Sequence, residues 1–293
     1  MHKFLKAVGF SKIAKRKEIQ DLICDVVEHS DEKIVVEDYP EGPFAEYRKY
    51  FSDDAGLAVC GQVDENHTFH VEYYYPFFEA LTVTTKERIT VERLIDREAY
   101  AGGCDDMRIG ITLIFYLQNP AQYMLQTRKG VRFPENMPVS LTALASEGKI
   151  LFPVQKDKEA VRVDQEMKQN RNHLMEAARN GDEEAMESLT MEDMDTYSMI
   201  SHRIVTDDVL TIVDSYFMPK GIECDQYSVL GEIKSFSFSK NYMTSEELVL
   251  MTLESNDMTY DVCINRADLL GEPEVGRRFK GVIWLQGDII YED

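Results

Sequence analysis

The chain has 293 residues, a length typical of two domains, and 44% of its residues are hydrophobic, as in ordinary globular proteins. Its formal net charge is −21 and none of the parts described below is basic overall, which argues against a nucleic-acid-binding protein, because such a protein needs a positive track for the phosphates. The longest apolar run, residues 109–117, is too short to cross a bilayer, and five scattered cysteines without a signal peptide favour reduced thiols and a cytoplasmic location.

The first part of the chain, residues 1–155, is predicted to be an α+β domain with a largely antiparallel sheet. Residues 12–29 carry apolar side chains at helical spacing, which predicts a helix whose apolar face packs on that sheet. The segments 57–63 and 69–78 flank a turn-rich stretch and predict a β-hairpin. Residues 107–117 are typical of a central strand. Two further hairpins are predicted, one from 80–85 with 88–95 and one from 139–145 with 149–154.

The composition changes near residue 156, where helix-forming residues without β-branched runs predict a helical connector over 156–195. Asn180 and Gly181 are predicted to end one helix in the left-handed conformation, and Asp182 is predicted to cap the next. A single helix pair is too short for a solenoid, which needs about three stacked units. We therefore interpret the connector as a spacer or clamp between two β-rich parts.

The last part, residues 196–293, returns to strand-forming sequence and is predicted to be a small OB-like β-barrel. A turn-rich bridge at 266–276 precedes a long closing strand at 278–291, an order typical of such barrels. Barrels of this type often bind oligonucleotides or oligosaccharides, and the excess of acids argues against oligonucleotides here. The predicted strands have the sequences YSMISHRIV, VLTIVDSYF, SVLGEIKSFSFS, ELVLMTLE, MTYDVCIN and RFKGVIWLQGDIIY.

The single tryptophan, Trp284, lies in the closing strand, and strand alternation predicts the direction of its ring. One face of the strand, from Phe279 to Ile289, is apolar or glycine throughout and is predicted to line the barrel interior. Trp284 shares the other, mixed face with Lys280, so its ring is predicted to point away from the barrel core. Because a bare surface tryptophan is unfavourable, we expect a cover from the rest of the chain, a second subunit or a ligand.

A polar face of the predicted N-terminal sheet is the best candidate for a functional site. By alternation, His70, Glu72 and Tyr74 share one face of their strand, and Arg108 is expected to join them from a neighbouring strand. Side chains of these types are able to bind a polar ligand or to move protons. The same residues are also typical of the ordinary solvated face of an antiparallel sheet, which is the simpler interpretation.

Motifs that mark known chemistry are missing. The chain has no dinucleotide fingerprint, phosphate-binding loop, GxSxG motif, HExxH motif or EF-hand loop, so no cofactor, metal ion or catalytic residue is predicted. His67 and His70 form an HxxH, but His67 falls in a predicted turn and no cysteine or acid lies at zinc-ligand spacing. Cys104 lies in a predicted glycine-flanked loop, where the neighbouring Asp105 and Asp106 disfavour a thiolate nucleophile.

Two segments carry a resemblance to a known family: HKFLKAVGFS at residues 2–11 and LLGEPEVGRRFKGVIWLQG at residues 269–287. With these segments the chain resembles an uncharacterised family of Gram-positive, mostly anaerobic bacteria, a domain of unknown function, over its full length. The resemblance implies a bacterial cytoplasmic protein. It implies no activity, cofactor or catalytic residue.

The sequence supports three functional hypotheses. The first is a non-catalytic binding or protein-interaction protein. The second is an enzyme with its site on the polar sheet face, which requires a cleft there. The third is a structural subunit of a homo-oligomer with Trp284 at a two-fold contact. The expected partner is a protein or a small molecule, not nucleic acid or a membrane. The predicted ligand or partner surface comprises His70, Glu72, Tyr74, Arg108, Lys280 and Trp284.

Overall fold

The computed structural model describes most of the chain, and the statements below concern the described residues. They are 2–37, 42–80, 83–94, 99–106, 108–109, 111–130, 137–154, 167, 170–171, 173–178, 180–203, 213–221 and 224–291, without the side chains of 193 and 195–203. The chain divides into two compact units. One comprises Met1–Leu151 and Ser215–Asp293, and the other comprises Phe152–Asp214.

The first unit contains a four-stranded antiparallel sheet in the order β1-β2-β3-β4. Helix α1 (Arg16–Glu28) packs on β2 and β3 and buries Leu22 and Val26. The predicted helix and the hairpin of β3 with β4 are confirmed, whereas β1 and β2 lie outside the predicted elements. The strands are β1 (Glu32–Val36), β2 (Phe44–Tyr50), β3 (Ala55–Val63) and β4 (Phe69–Phe78).

A second, ten-stranded sheet holds the remaining strands of this unit. Helix α2 (Pro120–Arg128) precedes its β8, and short 3-10 turns lie at Leu5–Val8 and Arg266–Asp268. The strands are β5 (Ile89–Arg93), β6 (Tyr100–Asp106), β7 (Ile111–Leu117), β8 (Val139–Leu151), β9 (Tyr216–Pro219), β10 (Gln226–Lys240), β11 (Glu247–Ser255), β12 (Met258–Asn265), β13 (Leu269–Leu270) and β14 (Arg278–Ile289).

Part of this sheet closes into a small five-stranded barrel in the order β8-β12-β11-β10-β14, because β14 pairs with β8 as well as with β10. The pairing of β12 with β8 is parallel, and the other pairings around the barrel are antiparallel. Strands β7, β6 and β5 extend the sheet from the C-terminal half of β14. The predicted α+β class, with an antiparallel sheet and a small barrel, is confirmed.

One strand of the barrel, β8, comes from the part of the chain before the helical connector. It pairs with β14 from Val139 opposite Ile289 to Leu151 opposite Arg278. The two β-rich parts of the chain therefore form one compact unit. This division differs from the predicted domains 1–155, 156–195 and 196–293, because pairing between strands distant in sequence decides which unit a strand joins.

The hairpin predicted over 139–154 is wrong, because Ser146, Glu147 and Gly148 lie inside the continuous strand β8. Gly148 does not mark a turn there. A Cβ atom at this position would lie 2.3 Å from the ring of Phe279, so the glycine leaves room for that ring in the barrel interior.

The hairpin predicted from 80–85 and 88–95 is also wrong, since β5 pairs with β6, where Ile89 lies opposite Cys104. Residues 81–82 lie outside the described residues. Cys104 is fully buried in β6, not in a loop, and its neighbour Gly102 makes room for Phe115, whose ring would lie 2.1 Å from a Cβ atom. The predicted strand at 107–117 is confirmed as β7, which lies between β6 and β14.

Most of the second unit that the structure describes is helical, at residues 167, 170–171 and 173–178 and in helix α3 (Glu183–Arg203). The predicted helix end and cap are confirmed: Gly181 has a φ of 85°, and the Asp182 carboxylate accepts hydrogen bonds from two backbone N–H groups of α3. The strand predicted at 197–205 is wrong over 197–203, which belong to α3, and residues 204–205 lie outside the described residues. The helix continues to Arg203 because it contains no glycine or proline that would end it earlier. The strand predicted at 209–217 lies partly outside the described residues.

A helix that spans a membrane needs about 20 predominantly apolar residues, and the helices in the described part of the chain fall short of this. None of them is long and apolar enough to cross a bilayer.

Candidate functional site

A cleft of about 420 Å³ opens beside Trp284 in the first unit. The N-terminal segment, β4, β7, β14 and the start of β10 contribute its walls. Aromatic side chains dominate the lining, and a smaller group of polar side chains lies among them. The aromatic residues are Phe4, Tyr74, Tyr75, Tyr116 and Trp284, and the polar ones are His2, Lys3, Asp225 and Gln226.

The ring of Trp284 points away from the barrel interior, as predicted. Its strand neighbours Ile283 and Leu285 are fully buried on the opposite face of β14, whereas Trp284 contacts residues outside the barrel. The Phe4 ring stacks on it with 5.5 Å between centroids, and the Tyr116 ring lies 5.1 Å away. The cover is therefore supplied by the same chain, and only 4% of Trp284 is exposed.

The N-terminal segment that covers Trp284 is held by hydrogen bonds to the barrel. The Asn241 side chain donates to the carbonyl oxygen of Val8 at 2.8 Å, and the Thr244 hydroxyl donates to that of Gly9 at 2.7 Å. Gly9 has a φ of 89°, and a Cβ atom there would lie 2.6 Å from that of Asn241. This close approach holds the end of the N-terminal segment against the loop after β10.

Asp225 is the principal polar group of the cleft. The indole N–H of Trp284 donates to its carboxylate at 2.6 Å. Burial raises the pKa of Asp225, and the Trp284 hydrogen bond acts in the opposite direction. At the mouth of the cleft, the exposed Lys3 ammonium donates to the Gln226 side-chain oxygen. The cleft thus offers a carboxylate acceptor and a cationic donor beside an aromatic surface.

Tyr74 and Tyr75 bring β4 into the cleft. Tyr74 is half-buried, so part of its ring is accessible. Tyr75 is buried, and its hydroxyl donates to the Gln118 carbonyl oxygen at 2.6 Å and lies 3.0 Å from a carboxylate oxygen of Glu46. Tyr74 therefore forms a reachable wall, and Tyr75 joins the cleft to a buried charged cluster beneath it.

That charged cluster was not predicted from the sequence. Arg48 is 8% exposed and lies 3.3 Å from Glu79, 3.7 Å from Glu46 and over the Phe77 ring. Burial raises the pKa of Glu46, while the Arg48 charge acts to lower it. Burial also raises the pKa of Asp288, on β14, to about 6. These charges join the first sheet to the barrel, a structural role.

The predicted polar face of β4 does not form as expected. His70 pairs with Gln62 and Tyr74 pairs with Val59, because a register shift places one extra residue in β4. Gln62 and Val59 are three residues apart on β3, so His70 and Tyr74 lie on opposite faces of the sheet. The exposed His70 ring instead lies 2.9 Å from Asp64, in the preceding turn, and Glu72 is exposed.

Arg108 does not join the residues of β4 either, because it lies in the turn between β6 and β7, which belong to the other sheet. Its guanidinium forms an ion pair with Asp106 at 2.5 Å and donates to the carbonyl oxygens of Thr84 and Asp257. The hydrogen bonds that Arg108 donates to the Asp106 carboxylate raise the pKa of Arg108. Arg108 thus connects three loops.

Of the six predicted surface residues, Tyr74 and Trp284 line the same cleft. Lys280 lies in a second pocket, on the outer wall of the barrel. His2, Lys3 and Asp225 lie far from these residues in the sequence and were not predicted. The signal for His2 and Lys3 was the N-terminal segment HKFLKAVGFS, which carried the family resemblance, whereas no local pattern marked Asp225.

Among the residues that the structure describes, no group of three or more His, Cys, Asp or Glu side chains is placed to hold a metal ion. Burial raises the pKa of the Cys104 thiol to about 12, and it also raises those of Cys60 and Cys263. These three thiols are therefore unfavourable nucleophiles.

The fold and the cleft define the class: an α+β protein in which an antiparallel sheet and a small barrel surround an aromatic cleft. The chain belongs to the family described as "Domain of unknown function, E. rectale Gene description (DUF3881)", whose model matches residues 5–287. The resemblance to a family of a Gram-positive anaerobe is thus confirmed. No curated protein and no solved structure matches the chain.

Proposed function

We propose that this protein is a non-catalytic binding protein whose small-molecule ligand enters the cleft beside Trp284. The observation that carries the proposal is the convergence of five aromatic side chains with a carboxylate and an ammonium group around about 420 Å³. Small-molecule sites are concave, combine aromatic walls with a few polar groups that fix orientation, and have volumes of about 300 to 1,000 Å³.

The chemistry of the lining selects a ligand with a flat apolar face and hydrogen-bond donors at its edge. The accessible part of Tyr74 offers a ring face for stacking, and Asp225 offers a carboxylate acceptor. Sugars and planar heterocycles combine these two features. A ligand that donates a hydrogen bond to Asp225 takes the place of water at this partly buried carboxylate. The hydrogen bond is stronger there than in water because the surroundings have a lower dielectric constant.

The enzyme hypothesis required His70, Glu72 and Arg108 to converge on one sheet face. Arg108 lies beside the other sheet and pairs with Asp106, and His70 contacts Asp64, so this convergence does not support the hypothesis. The oligomer hypothesis required Trp284 at a two-fold contact, and the 4% exposure of Trp284 leaves little of it for a second copy. Binding therefore has more support than either alternative.

We also infer a cytoplasmic location. The five cysteines are all free thiols, and Cys24 is exposed. Exposed free thiols persist in a reducing compartment, whereas an oxidising one converts them to disulfides.

Two measurements test the binding proposal. Native mass spectrometry of the protein purified gently from its own cells should show an added mass of small-molecule size. Titration with a panel of monosaccharides, nucleosides and heteroaromatic acids should change the emission of Trp284, the single tryptophan of the chain. Because Trp284 lies in the cleft wall, its emission responds to a ligand in this site.

The matched variants are Tyr74→Ala, on the accessible wall of the cleft, and Phe238→Ala, a 56% exposed aromatic outside the cleft lining. We expect Tyr74→Ala to weaken binding by at least tenfold and Phe238→Ala to leave it unchanged. A bare mass in the gentle preparation, together with unchanged Trp284 emission across the whole panel, would contradict the proposal.

A further inference from the structure

A second pocket, of about 290 Å³, lies on the outer wall of the barrel and shares no lining residue with the Trp284 cleft. Strand register arranges its side chains in two parallel rows. In the first row Leu270 lies opposite Lys149, and Lys149 lies opposite Lys280. In the second row Glu147 lies opposite Val282, and Val282 lies opposite Ser228.

The two lysines of the first row face each other across the pairing of β8 with β14. Directly opposite residues of an antiparallel pair have Cβ atoms about 5 Å apart, and like charges at such positions destabilise the sheet. Neither Lys149 nor Lys280 has an ion pair or a hydrogen bond with any other residue that the structure describes. The chain has 53 acidic side chains against 32 basic ones, so acidic partners are not scarce.

Other lysines of the same unit show the ordinary arrangement. Lys6 lies 3.0 Å from Asp268, and Lys49 lies 2.7 Å from Asp25. Lys234 contacts two carboxylates, those of Glu232 and Glu254. Lys149 and Lys280 therefore differ from these lysines: their two positive charges lie close together and are available to bind an anion.

We propose that this pocket binds a small phosphate monoester, with the phosphate between the ammonium groups of Lys149 and Lys280. A phosphate monoester carries about −1.5 to −2 charges at pH 7 and presents three acceptor oxygens, so it satisfies two ammonium groups at once. A single carboxylate carries half that charge and leaves most of the repulsion between the lysines in place.

The second row favours an organic group that carries a hydroxyl. Residues i and i+2 of a strand are about 7 Å apart, which is the distance from the lysine row to Glu147 and Ser228. A three-carbon polyol attached to the phosphate spans this distance. The Glu147 carboxylate then accepts from a hydroxyl of the polyol, while the side chain of Val282 lies between Glu147 and Ser228 and contacts the carbon chain.

The proposal is tested by isothermal titration calorimetry with glycerol 3-phosphate and inorganic phosphate as probes, in low-salt buffer without phosphate. We expect the wild-type protein to bind glycerol 3-phosphate more tightly than inorganic phosphate. Lys149→Gln and Lys280→Gln should each weaken glycerol 3-phosphate at least tenfold, and the double variant should not bind it. Lys17→Gln, an exposed lysine on α1, makes the same charge change and should leave the affinity unaltered.

The second row has its own variant. Glu147→Ala removes a negative charge near the phosphate and removes the hydroxyl acceptor, so inorganic phosphate should bind more tightly and the preference for glycerol 3-phosphate should disappear. Equal affinity of the wild-type protein and the double lysine variant would overturn the proposal, as would no binding by the wild-type protein at millimolar probe. Circular dichroism confirms that each variant is folded. Because Tyr74→Ala leaves this pocket intact, failure here and failure at the Trp284 cleft are distinguishable.

Discussion

The outer face of β14 differs between its two ends. At the start of the strand, Lys280 and Val282 are half-buried and line an open pocket. Four residues after Lys280, on the same face, Trp284 is 4% exposed beneath Phe4, and Gln286 is fully buried against the first sheet. One strand face is therefore solvent-facing at one end and core at the other.

This contrast shows that strand alternation predicts which way a side chain points. Whether the side chain is buried or accessible depends on which other segments of the chain lie over it. Trp284 and Gln286 are outward residues with respect to the barrel, but the N-terminal segment and β4 lie over them. Lys280 is outward without such a cover. Substitutions should accordingly have large effects on stability at the covered end and small ones at the open end.

The largest effect is expected for Phe4→Ala, which removes the ring that covers Trp284. Phe4 is 1% exposed, and truncating a buried phenylalanine destabilises by about 3 to 5 kcal/mol. Urea unfolding followed by Trp284 emission measures the loss, and the emission maximum of the folded variant should shift to longer wavelength because water reaches the indole. Phe238→Ala, at a 56% exposed site, is the control and should change stability by less than about 1 kcal/mol. Equal effects of the two variants would refute the contrast.

A somewhat smaller effect is expected for Gln286→Ala. The Gln286 amide donates to the Pro76 carbonyl oxygen at 2.8 Å, and its side-chain oxygen accepts from Gln118 at 2.8 Å. Loss of buried partners costs about 1 to 3 kcal/mol, so we expect a decrease of about 2 kcal/mol in the free energy of unfolding. The control is Gln20→Ala, an exposed glutamine on α1, which should be nearly neutral. A neutral Gln286→Ala would mean that β4 is not held by this contact.

The third effect depends on pH and concerns Asp288, the last outward residue of β14. Burial raises the pKa of Asp288 to about 6, and the nearby Arg48 opposes this shift while Glu79 and Glu32 add to it. The unfolded pKa of aspartate is about 3.9, so the folded state binds the proton more tightly. The contribution of Asp288 to stability is therefore complete below pH 4 and is lost as the pH rises to about 6.

Asp288→Asn mimics the protonated carboxyl and should test this directly. Since the side chain is partly exposed, we expect the variant to be more stable than the wild-type protein by only about 1 kcal/mol at pH 7, and equally stable at pH 4. Thermal unfolding at the two pH values measures the difference. Asp21→Asn, an exposed aspartate on α1, should show no such pH dependence. A variant that is less stable at pH 7 would show that the charged Asp288 stabilises the junction through Arg48.

Local pattern predicted where most barrel strands lie, including β10, whose pairing with β11 shifts register between Ile233 and Ser235. The barrel strands β10, β11, β12 and β14 and the direction of Trp284 followed from period two alone. The β4 face failed because one extra residue, near Glu72, reverses the alternation between His70 and Tyr74. A bulge of this kind leaves no reliable mark in a single sequence.

Features that depend on contacts between residues far apart in the sequence could not be predicted from the sequence. Gly148 looked like a turn residue, and only the Phe279 ring explains it as part of a strand. Strand β2 was missed because it contains the charged residues Glu46 and Arg48, which are not typical of a buried strand. They are buried here beside residues of β4 and β14. The Trp284 cleft likewise combines Lys3, Tyr74 and Asp225, which no local motif connects.

The smallest effect, and the sharpest test of the open end, is the coupling between Lys149 and Lys280. In phosphate-free buffer the two positive charges, which lie opposite each other on neighbouring strands, should repel. A double-mutant cycle with Lys149→Gln and Lys280→Gln should therefore give an unfavourable coupling of about 0.3 kcal/mol for the wild-type pair. The chain as a whole is acidic at −21, so any single lysine loss also adds net repulsion, and the cycle cancels that general effect. The coupling should vanish in 1 M salt, where the Debye length is about 3 Å. A favourable coupling would mean that the aliphatic parts of the two lysine side chains pack together and stabilise the barrel. The Lys280 end of β14 would then have a structural role, as the Trp284 end has.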